Sequence, residues 1–297
     1  MNNYVIVTGG AGFIASNLIE LLLDKTRFKI VSIDNYSTGS KLNHIKNKRV
    51  KYFKGNTTNI SSILKKNKIK KVKAIFHFAE FSRIYQSFKK ISDCFESNIK
   101  GTSAVIEFCL KNNVKLIYSA TSATLGKNGY DQNLSPYAYT KATNMNLIMN
   151  LNEWFGFNYE IIYFYNVYGP RQILSSNMAA VIGIFEECYK KDLPLPIVLP
   201  GNQTRRFTHV KDTVKVCFDA WKKNKNAHYS ISSKNSYSIA QVANFFSNKK
   251  KYIPERRGER FKSTIVKNIR NKKVFNLVGK MELKKYINDF KKLKVLK

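Results

Sequence analysis

Tyr137 and Lys141 are the residues whose types and spacing point most directly to chemistry. They stand four positions apart in a segment with helical periodicity, so both side chains fall on one helix face, one turn apart. A lysine ammonium beside a phenol stabilises the phenolate and lowers a pKa that is ordinarily about 10. Such a phenolate accepts a proton from an alcohol while the carbon of that alcohol is oxidised. The pair predicts a site for redox chemistry on a hydroxyl group.

The same spacing also arises by chance in a lysine-rich chain, and a second example begins at Tyr85. Position separates the two examples. Tyr137 follows the predicted strand Lys115–Ser119, and the end of that strand carries the hydroxyls of Thr121 and Ser122. A hydroxyl and the phenol can therefore converge at one sheet edge. Tyr85 has no such companion, and we interpret it as part of a surface helix.

A glycine-rich turn follows the first predicted strand. Residues Tyr4–Thr8 run into Gly-Gly-Ala-Gly-Phe-Ile-Ala at positions 9–15, and an amphipathic helix spans Ile14–Lys25. Counted from Gly10, the pattern is G-x-G-x-x-A, in which Gly12 lets the backbone approach a pyrophosphate. The helix N-terminus adds free N–H groups and partial positive charge. The spacing predicts a dinucleotide-binding turn.

An acidic residue stands at the place where this turn needs one. Asp34 lies 22 residues after Gly12, just past the second predicted strand, Lys29–Ile33. A carboxylate there accepts hydrogen bonds from the ribose hydroxyls of adenosine and repels a 2′-phosphate. We therefore expect NAD rather than NADP as the cofactor.

Alternating strands and helices must position these groups. Short β-branched runs alternate with amphipathic segments through the first half, which is typical of a parallel sheet. The remaining predicted strands are Val50–Phe53, Ala74–Phe78 and Tyr159–Tyr163, and the remaining helices are Phe95–Asn112 and Tyr139–Trp154.

The pattern changes after Asn166, where glycine and a proline cluster predict loops rather than regular α/β units. One more strand is predicted at His228–Ser232 and a short helix at Glu282–Leu293. We expect an α/β fold with a Rossmann-type doubly wound parallel sheet over residues 1–168, to which the later strand returns. A smaller α/β C-terminal substrate lobe would occupy mainly residues 169–297.

Composition narrows the class of protein. The 52 basic and 19 acidic residues give a formal net charge of +33, but the lysines are scattered and no zinc finger organises them. We therefore expect a solvated basic surface and no nucleic-acid partner. The apolar stretch Leu18–Leu23 is too short to span a membrane, and the four cysteines are too widely spaced for a metal or redox motif. These features predict a cytoplasmic protein without a metal site.

Further motifs follow in order along nearly the whole chain. They are Thr8-Gly-Gly-Ala-Gly-Phe-Ile-Ala15, Asp34-Asn-Tyr-Ser-Thr-Gly39, His77-Phe-Ala-Glu80, Asn98 in an Asn-Ile-Lys-Gly-Thr run, Thr121 to Gly126, Ser135-Pro-Tyr-Ala-Tyr-Thr-Lys141, Asn166-Val-Tyr-Gly-Pro-Arg171, Arg205-Arg-Phe207 and Arg256-Arg-Gly-Glu259. Together they resemble the extended short-chain dehydrogenase/reductase family, the NAD-dependent nucleotide-sugar epimerases and dehydratases. The second motif resembles the ribose-binding turn of the UDP-galactose 4-epimerases.

The resemblance implies an enzyme that acts on a nucleotide-diphosphate sugar. It implies that Thr121 hydrogen-bonds the sugar hydroxyl, that Tyr137 is the base, and that Lys141 binds the nicotinamide ribose. Arg205 and Arg256 would clamp the diphosphate, for which guanidinium geometry is suited. The implied cofactor contacts are Gly9, Gly12, Phe13, Ile14, Asp34, Asn35, Ser37, Thr38, Gly39, Asn56, Thr57, Phe78, Ala79, Glu80, Asn98, Tyr137, Lys141 and Tyr165, and the implied substrate contacts are Ser82, Thr121, Asn166, Arg205 and Arg256.

The residues after Thr121 separate the reactions of the family. Dehydratases carry an Asp-Glu pair there and decarboxylases a glutamate, whereas this chain has Ser122-Ala-Thr124. Eliminating water needs an extra acid and base. We therefore expect C4 epimerisation of a UDP-sugar through a 4-keto intermediate. Two alternatives stay open: a dehydratase or other sugar-modifying enzyme that uses Glu80, and a catalytically idle NAD-binding sensor or scaffold.

Several positions depart from the family pattern. Glu80 stands where a small residue is usual, either as an acid supplied from another strand or as a surface-facing substitution, and we favour a site role. Asn56 and Arg206 replace aspartates, Leu125 replaces a tyrosine, and the segment 126–137 is short. His77 is expected to be structural. The family also suggests a homodimer, paired through the segments Phe95–Leu110 and Tyr139–Trp154, unless the protein's own sheet covers their apolar faces.

Overall fold

Strands and helices alternate along the chain, and the structure, a computed structural model, describes residues 3–125, 131–260, 262 and 264–295. The strands are β1 (Tyr4–Thr8), β2 (Lys29–Asp34), β3 (Val50–Lys54), β4 (Val72–His77), β5 (Lys115–Thr121), β6 (Tyr159–Phe164), β7 (Val167–Tyr168), β8 (Leu195–Val198), β9 (Thr204–Arg205), β10 (Thr208–His209), β11 (His228–Ser232), β12 (Tyr237–Ser238), β13 (Lys250–Ile253), β14 (Asn268–Ile269) and β15 (Lys272–Val278). The helices are α1 (Phe13–Lys25), α2 (Ile60–Lys66), α3 (Ile84–Lys89), α4 (Ile91–Phe95), α5 (Thr102–Asn112), α6 (Pro136–Phe155), α7 (Val181–Lys190), α8 (Val210–Lys223), α9 (Ile239–Phe246) and α10 (Leu283–Val295).

Within the described ranges, nine strands form one sheet in the order β14-β15-β11-β6-β5-β4-β1-β2-β3. Every neighbouring pair is parallel except β14 with β15. Parallel strands need helical crossovers that cover both sheet faces, so the central strands are buried and rich in Val, Ile and Tyr. The strand order reverses between β1 and β4. The fold is the Rossmann-type doubly wound sheet that the sequence predicts.

Two layers of helices cover the sheet. Helices α2, α5 and α6 bury residues such as Leu64, Val105 and Ile148 against one face. Helices α1 and α8 bury Leu18 and Val214 against the other face. Each apolar stripe follows the helical period, so burial of these stripes fixes which side of the sheet every crossover takes.

The segment after Asn166 is more regular than the sequence analysis expected. Helix α8 connects β6 to β11 as a further sheet crossover, and β15 adds a strand beside β11 that we did not predict. Helices α7, α9 and α10 pack with β8 around a separate apolar cluster that forms the smaller lobe. The prolines misled the prediction because Pro196 lies inside β8. Among the described strands β8 pairs with β13 alone, and edge strands tolerate proline.

The predicted helix Phe95–Asn112 is three consecutive pieces. Helix α4 ends at Phe95, a π-helical turn spans Glu96–Gly101, and α5 follows. Wide turns of this kind occur frequently at functional sites because they shift side chains relative to a regular helix.

Helix α6 begins three residues before its predicted start. The Ser135 hydroxyl caps it by accepting a hydrogen bond from the Ala138 N–H at 3.1 Å, and Pro136 occupies the first helical position. Tyr137 therefore lies in the first turn of α6, beside the carboxyl end of the sheet.

Aromatic side chains remain exposed on the outer side of the helical layer. The rings of Phe95 and Tyr139 stack with centroids 6.3 Å apart, and 49% of Tyr139 is exposed. The inner sides of α5 and α6 meet the sheet instead, so pairing of two chains through the outer side stays a prediction. No helix in the described ranges combines the length and apolarity needed to cross a membrane.

Candidate functional site

The turn between β1 and α1 leaves space that side chains would fill. Gly9 has a φ of +72°, and a Cβ there would lie 3.0 Å from the backbone nitrogen of Ala79. A Cβ on Gly12 would meet the carbonyl oxygen of Gly9 at 3.0 Å. No side chain of the described residues caps the first turn of α1, so its N–H groups face the cleft uncapped. This arrangement fits a pyrophosphate.

Asp34 ends β2 at the edge of the same turn. Its carboxylate accepts hydrogen bonds from the N–H groups of Ala11 at 2.9 Å and Tyr36 at 2.7 Å. Burial raises the pKa of Asp34, and these two backbone N–H groups work in the opposite direction. The carboxylate is thus held in place with acceptor capacity left for ribose hydroxyls, so the residues present fit the adenosine half of NAD.

A cleft of about 830 Å³ opens at the carboxyl ends of the strands, where the sheet order reverses. Most of the sequence-predicted site residues line it: Gly9, Gly12, Phe13, Ile14, Asp34, Asn35, Ser37, Thr38, Asn56, Thr57, Phe78, Ala79, Glu80, Ser82, Thr121, Tyr137, Lys141, Asn166, Arg205 and Arg256.

Three predicted cofactor residues lie behind this lining. Gly39 packs against the Asp34 carboxylate, since a Cβ there would be 3.0 Å from both carboxylate oxygens. The Asn98 side chain is fully buried and bonds the backbone of Phe81 instead, accepting from its N–H at 2.6 Å. The Tyr165 hydroxyl points away from the cleft and donates to the carbonyl of Thr264 at 2.7 Å. Its neighbour Asn166 lines the cleft, and successive residues of an extended segment face opposite ways.

Thr121 and Tyr137 meet on the cleft wall. Thr121 ends β5 beside Tyr137, and Tyr137 is only 8% exposed. Burial raises the pKa of Tyr137 to about 12; the Thr121 hydroxyl lowers it, the Glu80 charge raises it and the Arg83 charge lowers it. The direction is opposite to the lowering that the Tyr-Lys spacing suggested.

Glu80 accounts for part of this difference. Its carboxylate is buried and forms an ion pair with the Lys141 ammonium. Lys141 also donates to the carbonyl of Ser119 at 2.5 Å. The interpretation of Glu80 as a surface-facing substitution is therefore wrong. Sequence could not reveal the pair, because 61 residues separate its members.

The groups assigned to the diphosphate line the far side of the cleft. Arg205 pairs with Glu259 at 2.5 Å, and the guanidinium of Arg256 lies 5.6 Å from the Tyr85 ring centre. The Asn166 amide donates to the carbonyl of Arg206 at 3.1 Å. The sequence motifs do bring these side chains to one cleft, although each already has a protein partner.

Two arginines that line the cleft near Thr121 and Tyr137 were not predicted from the sequence. Arg83 lines the cleft near Tyr137 and donates through Nε to the carbonyl of Met178 at 2.7 Å. Arg260 donates to Asp131 at 2.8 Å and to the carbonyl of Ser122 at 2.9 Å, which ties the smaller lobe to the end of β5. In so basic a chain, nothing in the sequence distinguishes them. The shortened segment is described only from Asp131, since residues 126–130 lie outside the described ranges.

Comparison with known proteins identifies the family to which this chain belongs. Residues 5–232 match the NAD-dependent epimerase/dehydratase family. A Methanocaldococcus jannaschii protein, provisionally named a UDP-glucose 4-epimerase, is 31% identical over 221 residues, which cover 71% of each chain. The chain therefore belongs to this family of enzymes. The NAD cofactor expected from the sequence is confirmed.

Other relatives differ in reaction. A UDP-N-acetyl-α-D-glucosaminuronate decarboxylase from Bacillus cytotoxicus is 29% identical over 265 residues, covering 82% of this chain and 79% of its own. A solved UDP-glucose 4-epimerase from Thermotoga maritima superposes with a TM-score of 0.86 at 22% identity, covering 99% of this chain and all of that one. The superposition establishes the fold, and family membership leaves the reaction to be argued from the site.

Proposed function

We propose that this enzyme interconverts C4 epimers of a UDP-linked sugar through a transient 4-keto sugar. The observation that carries the proposal is that Thr121 and Tyr137 lie together at the carboxyl end of β5, on the wall of the NAD cleft. When bound, NAD supplies a reversible hydride acceptor at this wall. The protein must then move one proton and hold the sugar.

Tyr137 performs the proton transfer in this proposal. As the phenolate, Tyr137 accepts the proton of the C4 hydroxyl as the ketone forms, and the resulting phenol returns that proton when the alcohol is restored. Thr121 bonds the same hydroxyl and orients it toward the phenol oxygen. General acid–base transfer of this kind contributes about 10²- to 10⁴-fold to a rate. Epimerisation requires in addition that the keto sugar turn over between the two transfers.

No residue that the structure describes beside Thr121 offers a free carboxylate, and this favours epimerisation over dehydration. Ser122-Ala-Thr124 follows Thr121 directly, and the Ser122 carbonyl is bonded by Arg260. Glu80 does not take the place of the missing acid, since its carboxylate is occupied by an ion pair and by hydrogen bonds. A dehydratase needs a group free to deliver a proton to the leaving hydroxyl.

Arg205, Arg256 and Asn166 bind the diphosphate of the nucleotide in this proposal. Two relatives are named for different reactions, a 4-epimerisation and a decarboxylation, and both names specify a UDP-sugar. This favours uridine as the base of the nucleotide. Binding exchanges the Glu259 partner of Arg205 for phosphate oxygens, which match the guanidinium fork equally well.

Product analysis tests the proposal. NAD-loaded protein is incubated separately with UDP-glucose, UDP-N-acetylglucosamine and UDP-glucuronic acid, and the products are followed by NMR. We expect a C4 epimer from at least one of them, approaching the same equilibrium ratio from either epimer. Formation of a 4-keto-6-deoxy sugar would show that the enzyme is a dehydratase and not an epimerase. Release of carbon dioxide would show that it is a decarboxylase. Bound NAD with no turnover of any of them would favour the sensor alternative.

A further inference from the structure

The geometry points to Glu80 as a positioning residue that fixes the Lys141 ammonium and, through its charge, opposes ionisation of Tyr137. The part played by Tyr137 as the base rests on the proposed function, whereas the contacts of Glu80 do not depend on it.

Every oxygen of the Glu80 carboxylate has a donor. Oε2 accepts from Lys141, and Oε1 accepts from the hydroxyls of Thr102 at 3.0 Å and Tyr118 at 2.9 Å. The Asn144 amide also donates to Oε1, at 3.2 Å. Only 2% of the side chain is exposed. Donors from α5, β5 and α6 thus converge on one carboxylate, and together with the Lys141 ammonium they satisfy a polar group that would be costly to bury alone.

The Lys141 ammonium is fixed by the same arrangement. It lies between the Glu80 carboxylate and the Ser119 carbonyl, and it stands 4.8 Å from the centre of the Tyr118 ring. A lysine without a counter-ion would lend its full positive charge to a phenolate one turn away. Here the neighbouring negative charge cancels much of that effect at Tyr137.

Titratable groups from all the packed elements face Lys141 and Tyr137. Burial lowers the pKa of His77 to about 4 and raises that of Tyr118, so both are neutral near pH 7. Burial also raises the pKa of the Cys94 thiol. Among these neighbours, the Glu80 charge raises the pKa of Tyr137 and the Arg83 charge lowers it, while Lys141 is paired with Glu80. The groups come from several elements: His77 ends β4, Glu80 follows it, Arg83 precedes α3, Cys94 is on α4, Tyr118 on β5 and Lys141 on α6.

Substituting Glu80→Gln removes the charge and keeps a side chain that can accept from the same donors. We expect the pKa of Tyr137 to fall by about one unit or more, because the ammonium is then uncompensated. Ultraviolet titration of tyrosinate in NAD-loaded protein measures this, with the signal of the matching Tyr137→Phe protein subtracted. The acid limb of the kcat profile, measured with whichever of the three UDP-sugars is turned over, should move to lower pH by the same amount.

Two further variants separate charge from structure. Glu80→Asp keeps the charge, so both readouts should stay near those of the unsubstituted protein. The double variant Glu80→Gln/Lys141→Met removes both charges and should also titrate near the unsubstituted protein, whereas Lys141→Met alone should raise the pKa of Tyr137. These two measurements decide the matter even if Glu80→Gln does not fold.

A matched control comes from the other buried Lys–Glu pair. Glu160→Gln also removes one buried negative charge, from the pair with Lys115, and should leave the Tyr137 titration unchanged. The proposal is overturned if Glu80→Gln leaves the tyrosinate titration in place, or if Glu160→Gln moves it equally. Because the titration needs no sugar turnover, its outcome is independent of whether the protein proves to be an epimerase.

Discussion

A buried Lys–Glu ion pair lies beside each end of strand β5, and the two pairs differ in what surrounds them. At its amino end, Lys115 pairs with Glu160 of β6 at 2.7 Å. The other acceptor sites of Glu160 take backbone N–H groups of Lys225 at 2.7 Å and Ala227 at 3.0 Å. At its carboxyl end, Lys141 pairs with Glu80, and side-chain hydroxyls and an amide complete the shell.

The difference lies in what each carboxylate holds. Glu160 accepts hydrogen bonds from backbone N–H groups, so it fixes the loop that leads into β11. It is not among the residues that line the cleft. Glu80 binds side chains whose neighbours include Tyr137, so its charge is felt where a proton would move. In parallel sheets the ligand lies outside the carboxyl ends of the strands, and this polarity decides which of two similar ion pairs bears on chemistry.

The strongest test of this comparison uses two separate Tyr→Phe variants, one at the carboxyl end and one at the amino end of the strands. Tyr137→Phe should lower kcat by about 10²- to 10⁴-fold, because it deletes the proton acceptor. Tyr159→Phe is the matched control: Tyr159 is a buried tyrosine at the start of β6, and its loss should leave kcat unchanged. Steady-state kinetics measures the effect, and the fluorescence of added NADH verifies that both proteins bind the cofactor. A fully active Tyr137→Phe protein would remove Tyr137 from the base position.

The amino-end pair should matter for stability alone. Glu160→Ala leaves Lys115 without its counter-ion, although Lys115 still donates to the Asn224 amide oxygen, and it leaves three backbone N–H groups without their acceptor. Breaking a buried pair in this way costs about 3–5 kcal/mol of unfolding free energy. Urea denaturation measures the loss, and kcat per folded molecule should be unaffected. A large fall in kcat with folding intact would contradict the division of the two ends.

Asp34 offers a second carboxylate at the carboxyl edge, this time facing the cofactor. Asp34→Ala should weaken NAD binding by about 1.5–3 kcal/mol, roughly tenfold to hundredfold, because hydrogen bonds to a charged acceptor are lost. Titration calorimetry measures the affinity. Asp24→Ala, a change at an exposed carboxylate near the end of α1, is the control and should bind NAD normally. Equal NAD affinity in the unsubstituted protein and in both variants would show that Asp34 does not bind the ribose.

The sequence predicted the carboxyl edge far better than the contacts behind it. The glycine turn, Asp34, Thr121 and Tyr137 could be placed because local patterns fix strand ends, and strand ends of parallel sheets meet at one edge. Asn98 and Tyr165 could not be placed, since a π-helical turn and the side on which an extended residue lies depend on packing. The Glu80–Lys141 pair depends on a contact between β4 and α6 that no local pattern encodes.

The smallest expected effect again compares the two ends, through their buried histidines. Burial lowers the pKa of both His77 and His228 to about 4, with Lys272 adding to the effect at His228. Unfolded histidine binds a proton below about pH 6.5. The unfolded chain therefore takes up protons that the folded chain refuses, and stability that is complete above that pH is lost as pH falls toward 4. By pH 5 the loss is about 2 kcal/mol for each histidine.

Substituting His228→Gln at the amino end should remove about half of this acid sensitivity, about 2 kcal/mol of the difference in unfolding free energy between pH 7 and pH 5. Urea denaturation at the two pH values measures that difference, which is insensitive to any constant cost of losing the contacts with Tyr159 and Tyr163. Activity at neutral pH should persist, because His228 lies at the amino end, away from the cleft. An unchanged difference would show that the ring of His228 takes up its proton in the folded protein.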